Sequence, residues 1–373
     1  MLKVRRFKKN PILGPNPDLP WGRDEARNPG VVFDGHKFHM VFTASTNIRD
    51  GGDMVLGYAQ STDGVNFKCA AEPFLSPSKN PEDFDHGTVE DCRITESDGQ
   101  YYIAYAGRSL NIRDFNAGVR RLGPGKNINP TWTDNFRRVG LAVTRDWKQV
   151  DRLGPITSEH MSDANVALFP KKINGRYVIL HRPTPFIPWT LPLIYNPGCM
   201  WIAFSDDLLH WSSNRREMPW DMKDDIDIPD DHLLIRPEHD WEKLKVGGSG
   251  VPIPTDDGWL TFYHAVDRDG VYRVGLMLLD REDPRKVIAR SDKPIMEPEE
   301  SYELNGLYPK CIFPCANVVV DNEIFIYYGA VDLYCGLATV GLKEALDYVL
   351  QFRPKNKISS NWDGEKKSEE VLA

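Results

Sequence analysis

Asp34-Gly35, followed by KFHMVFTAS (37–45) and then VLGYAQSTDGVNF (55–67), reads as a turn, an aromatic-rich strand, a gap and a second strand. The same order returns four times. It recurs at Asp98-Gly99 with YYIAYAG (101–107) and VGLAVTRDWKQV (139–150), and at Asn174-Gly175 with RYVILHRP (176–183) and MWIAFSDDLLHW (200–211). The last two copies are Asp257-Gly258 with WLTFYHAVD (259–267) and YRVGLMLLD (272–280), and Asp321-Asn322 with EIFIYYGAVD (323–332) and LYCGLATVGL (333–342). The turns at 34, 98, 174, 257 and 321 are 64, 76, 83 and 64 residues apart. Each unit has room for two further strands, the size of a four-stranded propeller blade with long connections. Five units predict an all-β, five-bladed β-propeller. A β-sandwich ranks second, because its turns recur about every 8 to 12 residues without such a long period.

Blades share a continuous core and cannot fold usefully alone, so residues 1–352 are expected to form a single catalytic domain. Leu342, Ala345, Leu346, Val349 and Leu350 recur at helical spacing after Gly341 and predict one short C-terminal helix. Residues 353–373 are polar and aperiodic, and read as a tail.

Composition narrows the class. The chain has 373 residues, and 46 basic against 54 acidic ones give a net charge of -8, which offers no reason to expect a nucleic-acid partner. Its hydrophobic content of 41% suits an ordinary core. The start, MLKVRRFKKNP, lacks the apolar stretch of roughly 7 to 15 residues that a signal peptide requires, which predicts a cytoplasmic protein. The charge-free stretch Pro183–Ser205 is broken by five prolines and is not expected to cross a membrane. Six cysteines without a CxxC pair are expected to be reduced and mostly buried.

Two insertions stand apart. Residues 109–138 hold Arg113, Arg120, Arg121, Lys126, Arg137 and Arg138 with Trp132 and Phe136, a solvated loop or a lid over a polar substrate. Residues 183–199 carry Phe186, Trp189, Leu191, Leu193 and Ile194, a homo-oligomer contact or a cleft wall.

Inner strands of a propeller converge on its axis, so polar residues from different blades can meet in one funnel. GTVEDCRI (87–94) places Glu90, Asp91 and Arg93 among apolar neighbours. A carboxyl there is expected to have a raised pKa and to serve as a general acid; the alternative is a salt-bridged pair closing the strand. The third and fourth repeats supply cations: His181 and Arg182, Lys245 before a glycine turn, His264, and Arg273 after Tyr272. Singly these are ordinary strand-end charges, but on adjacent repeats they point to an anion site. Asn28 in RNPG and Asp332 in YYGAVD are candidate partners for sugar hydroxyls, whereas Trp201, Trp259 and Tyr263 line either the cleft or the blade core. P-loop, GxGxxG and HExxH signatures do not occur, and no metal or organic cofactor is expected.

With VEDCRIT (89–95), ANVALFPKKINGRYVILHRP (164–183), WIAFSDDLLHW (201–211), KVGGSGVPI (245–253), GWLTFYHAV (258–266), YRVGLMLLD (272–280) and YYGAVD (327–332), the sequence resembles glycoside hydrolase family 130 from about Asn10 to Leu350. These are mannoside phosphorylases and related mannosidases built as five-bladed propellers. The resemblance implies that Asp91 is the general acid and that Arg182, Lys245 and His264 bind phosphate. Asn28 and Asp332 would hold the mannosyl unit, with Glu90, Tyr272 and Arg273 as further substrate-binding residues. It implies inverting phosphorolysis of a β-mannoside to α-mannose 1-phosphate, with inorganic phosphate as co-substrate and the proton relayed through a sugar hydroxyl. Phosphate is already a competent nucleophile once cations position it, so one protein carboxyl suffices where a glycosidase normally requires two.

Cys92 stands where the family motif EDPR has proline. Ala164 and Thr43 stand where some β-1,4-acting members carry basic residues, which leans the substrate towards β-1,2 linkage. The rival readings are a hydrolytic β-mannosidase on the same fold and a non-catalytic glycan-binding propeller.

Overall fold

The computed structural model describes residues 2–46, 54–118, 135, 137–157, 162–183, 198–211 and 231–354. Their strands form five antiparallel sheets, one for each repeat. Blade 1 runs outward from Glu25–Phe33 through Phe38–Ser45 and Met54–Ser61 to Lys68–Cys69. Blade 2 consists of Thr88–Ser97, Gln100–Arg108, Arg138–Thr144 and Asp151–Pro155, and blade 3 of Ala167–Leu168, Tyr177–His181, Met200–Ser205 and Asp231–Ile235. In blade 4, Lys245–Gly248 and Ile253–Thr255 both pair with Gly258–Val266, followed by Tyr272–Leu279 and Val287–Arg290. Blade 5 takes Ile312–Val320, Glu323–Ala330 and Tyr334–Gly341, and its outermost strand is Arg5–Arg6 from the other end of the chain. Arg5 pairs with Thr339 and Arg6 with Ala338, which closes the ring.

The repeated dipeptides join the innermost strand of a blade to the next. In blades 2 and 5 they are two-residue turns between Ser97↔Gln100 and Val320↔Glu323. In blade 3 the turn lies between Ile173 and Arg176. Their central residues all have positive φ: 52° and 71° at Asp98-Gly99, 50° and 82° at Asn174-Gly175, 48° and 63° at Asp321-Asn322. That conformation suits hairpin twist and is accessible chiefly to Gly, Asn and Asp, which is why the sequence is legible there.

Inner faces of neighbouring blades meet in five apolar clusters, one per pair. Leu260 and Leu276 of blade 4 pack with Ile312 and Ile326 of blade 5. Val178 and Leu180 of blade 3 meet Val246 and Trp259 of blade 4, and Met40 and Phe42 of blade 1 meet Tyr327 and Leu337 of blade 5. Clusters between blades 2 and 3 and between blades 1 and 2 complete the circle. Each leucine so buried contributes about 1.5–3 kcal/mol. Trp201, Trp259 and Tyr263 are buried in the blades, and the Tyr263 hydroxyl donates to Glu242 (2.8 Å), so these rings take the core alternative.

The expected C-terminal helix is present at Leu342–Leu350, with Ala345 and Val349 buried between blades 4 and 5. Helical turns at Ile112–Asn116 and Ser301–Leu304 were not foreseen, being too short for a helical period to register. The cysteines form no disulfide, and Cys92, Cys311, Cys315 and Cys335 are buried. Among the described residues no helix is long and apolar enough to cross a membrane. Arg120, Arg121, Lys126, Trp132, Phe136, the apolar residues of the 183–199 insertion and the tail from residue 355, all singled out in the sequence, lie outside the described residues.

Candidate active site

The innermost strands of blades 1 and 2 are interrupted at the same place, and Asn165 lies just before that of blade 3. Asn28, Asp91 and Asn165 have φ of 51°, 54° and 61°, and the ladder slips between Arg27 and Gly30 and between Glu90 and Arg93. A bulge with a left-handed residue breaks the strict alternation of side chains and re-aims one of them. Asn and Asp tolerate that backbone better than other side-chain-bearing residues. All three line one cavity of about 930 Å³ at the inner strands.

Blades 1, 2 and 5 give this cavity a carboxylate side organised by Arg27. Its guanidinium donates to Glu25 Oε2 (3.0 Å), Asp91 Oδ1 (3.1 Å) and Glu90 Oε2 (3.4 Å), and lies 3.8 Å from Asp332 Oδ1. Asp91 Oδ1 also accepts from Asn28 Nδ2 (2.7 Å), and the Asp91 amide donates to Thr43 Oγ1 (2.9 Å). Both side-chain contacts fall on Oδ1. Asn28 Oδ1 lies directly over Gly329, where any Cβ would collide with it.

The expected raised pKa is reversed at Glu90. Burial pushes its carboxyl up, but Arg108 (3.1 Å), Arg137 (3.8 Å) and Arg27 outweigh it and hold the pKa at about 2. Asp332 goes the other way, raised by burial with the Asp91 and Glu90 charges against Arg27. Glu25 is raised by burial in spite of Arg27. Arg93 reaches from blade 2 to blade 4 instead, donating to the carbonyl of Asp91 two residues earlier (2.8 Å) and to Ser249 O (3.1 Å), with its guanidinium 4.9 Å from the Phe313 ring.

Blades 3 and 4 make the opposite side. Arg182, Lys245 and His264 all line the cavity, and Lys245 Nζ donates to the Tyr272 hydroxyl. Burial and the Arg182 and Arg137 charges push Lys245 down to about 7. Burial likewise lowers Arg182, with Arg137 adding to it. Burial and the Arg182 and Lys245 charges drive His264 well below its usual value, so it enters as a neutral hydrogen-bonding ring rather than as a third cation. Gly247 makes the arrangement fit: a Cβ there would sit 2.9 Å from Arg182 Cδ and 2.5 Å from His264 Cε1. Clustered cationic side chains with depressed pKa values around an open space are what an anion would relieve.

The family model of glycoside hydrolase family 130, described as beta-1,4-mannooligosaccharide phosphorylase, matches residues 22–351. The chain belongs to glycoside hydrolase family 130. A 1,2-beta-oligomannan phosphorylase from Thermoanaerobacter sp. (strain X514) is 35% identical over 349 residues, covering 92% of this chain and 99% of that protein. A beta-1,2-mannobiose phosphorylase from the same strain is also 35% identical, covering 91% and 98%. In fold, the chain is similar to the beta-1,2-mannobiose phosphorylase of Listeria innocua, with a TM-score of 0.72 at 22% identity over 93% of this chain and 99% of that one.

Within this family-130 propeller the cavity brings together Asn28, Glu90, Asp91, Arg182, Lys245, His264, Tyr272 and Asp332. Arg273 does not join them. It follows Tyr272 on one strand, so its side chain takes the opposite face, where it pairs with Asp267 (2.6 Å) and Glu297 (3.1 Å). His181 is also withdrawn, paired with Asp163 (2.8 Å) in full burial. Sequence reading missed Glu25, Arg27 and Arg108 and left Arg137 in a loop. Arg27 directly precedes the singled-out Asn28, and a buried cation beside a chosen polar residue was the available signal.

Proposed function

We propose that the protein is an inverting β-mannoside phosphorylase: phosphate, held on the blade 3 and 4 side, attacks C1 of a mannosyl unit held by Asn28 and Asp332. The bond from C1 to the glycosidic oxygen breaks as the bond from phosphate oxygen to C1 forms. The proton originating on Asp91 ends on the leaving oxygen, directly or through a sugar hydroxyl. Products are α-mannose 1-phosphate and the shortened sugar. Inorganic phosphate is the one co-reactant the proposal uses.

The observation that carries this reading is the clustering of Arg182, Lys245 and His264 on one wall of the cavity, where burial lowers the pKa of Arg182, and burial with the Arg182 and Arg137 charges lowers that of Lys245. A protein that only bound glycans would gain nothing from that cost. Arg182 supplies a fork suited to phosphate oxygens, Lys245 a point charge and His264 a neutral ring nitrogen. Arg137, which the structure adds to the cavity wall, stands between this group and Glu90. Glu90 stays ionised beside Arg27, Arg108 and Arg137, and orients them rather than exchanging protons.

The β-1,2 linkage is the preferred substrate on this reading, because the two relatives at 35% identity are named for it. Ala164 in the cavity wall and Thr43 behind Asp91 agree with it. The test is product analysis with β-1,2-, β-1,3- and β-1,4-mannobiose, each with and without inorganic phosphate. Mannose 1-phosphate formed only with phosphate, and fastest from the β-1,2 disaccharide, is the expected result. Free mannose formed equally in both conditions would replace phosphorolysis with hydrolysis.

A further inference from the structure

Only five large hydrophobic side chains are exposed among the described residues, and two of them are consecutive and line the cavity: Leu307 at 47% and Tyr308 at 38%. They lie between the helical turn Ser301–Leu304 and the innermost strand of blade 5. This connection is fixed against the site. Tyr308 N donates to Val331 O (3.0 Å), one residue before Asp332, and the Tyr308 ring meets the Tyr272 ring edge-on at 5.2 Å. From blade 2, which is not a neighbour of blades 4 and 5, the short helix Ile112–Asn116 reaches the same cavity without burying any of its residues. Ile112 and Phe115 are three apart, so they share the helical face that meets the cavity. The helix start is set by Asn111, whose Oδ1 accepts from the Asp114 amide (2.8 Å).

The cavity is therefore charged around the axis and apolar on two sides further out. A pyranose presents hydroxyls at its edge and C–H groups on its faces, and the faces pack on aromatic and aliphatic side chains. The polar residues near the axis are engaged by phosphate and by the sugar that receives it, so the departing sugar has to occupy the outer part. We propose that Leu307 and Tyr308, together with Ile112 and Phe115, form the acceptor subsite, packing on the C–H faces of the sugar or short oligosaccharide that leaves. This rests on the phosphorylase reading and adds the residues that select the acceptor.

The experiment runs the reaction in the synthetic direction, from α-mannose 1-phosphate with mannose or β-1,2-mannobiose as acceptor. Tyr308→Ala and Leu307→Ser are each expected to raise the acceptor KM about tenfold, the loss of one good ring-face contact, while the KM for mannose 1-phosphate changes by less than about twofold. Tyr308→Phe keeps the ring and is expected to restore the acceptor KM. Because both side chains are exposed, an unchanged melting temperature should accompany the kinetic effect. An acceptor KM that stays at the wild-type value, or both KM values rising together, would overturn the proposal. Failure of the underlying reading looks different: wild-type protein would then form no sugar phosphate from any β-mannoside with phosphate.

Discussion

The two sides of the cavity are built on opposite principles. Around Arg27 the protein supplies its own counter-charges: four carboxylates surround one guanidinium, and Arg108 and Arg137 attend Glu90. Around Arg182 and Lys245 cations gather instead: burial depresses both, with Arg137 adding to each and Arg182 adding to Lys245. The carboxylate side fixes one oxygen of Asp91 between Arg27 and Asn28. On the phosphorylase reading an anion joins the cation side, and binding energy gained there positions the nucleophile. A hydrolase would have little use for such an asymmetry.

Three measurements would break or sharpen that contrast. Asp91→Asn keeps an oxygen for Arg27 and Asn28 but removes the exchangeable proton, so kcat is expected to fall by about 10²–10⁴-fold with little change in phosphate KM. Steady-state assays over both substrates decide it; comparable losses in kcat and phosphate affinity would mean that the two sides are not separate. Next, Arg182→Ala or Lys245→Met is expected to raise the phosphate KM by roughly 10- to 100-fold, the cost of one charge-assisted hydrogen bond, and to leave mannoside KM nearly unchanged. Wild-type phosphate dependence in either variant would remove the anion site.

The smallest effect concerns pH. Lys245 must carry its proton to attract an anion, and its pKa lies at about 7 rather than in the usual lysine range. Sulfate stays a dianion throughout, so its dissociation constant should be flat below about pH 7 and rise by up to about tenfold per unit above it, until the lysine of the complex itself titrates. Lys245→Arg should flatten that rise. Calorimetric titration with sulfate at about pH 6, 7, 8 and 9 reads the sign directly.

The fold was legible because its turns are chemical punctuation. Asp98-Gly99, Asn174-Gly175 and Asp321-Asn322 all adopt the positive φ values their residue types advertise. The innermost strands were harder to see. Ala167–Leu168 is two residues long, and the left-handed residues Asn28 and Asp91 interrupt the alternation in blades 1 and 2. Those interruptions fall at residues that line the cavity, so the pattern failed where the cavity wall is made. Arg273 shows the converse: Tyr272 lines the cavity, but its neighbour on the strand faces the other way. Arg27 escaped notice because its partners Glu90, Asp91 and Asp332 lie 63 to 305 residues away in the chain, and no local pattern announces such a meeting.

The strand Arg5–Arg6 on blade 5 carries a consequence for handling the protein. It joins the two ends of the chain as a zip, and Arg6 goes on to grip Glu303 (2.8 Å), Glu299 (2.8 Å) and the Glu297 carbonyl on the connection that leads into Leu307 and Tyr308. A tag fused tightly ahead of residue 5, or a deletion through residue 6, would therefore disturb the connection that carries Leu307 and Tyr308 into the cavity wall as well as the closure of the ring.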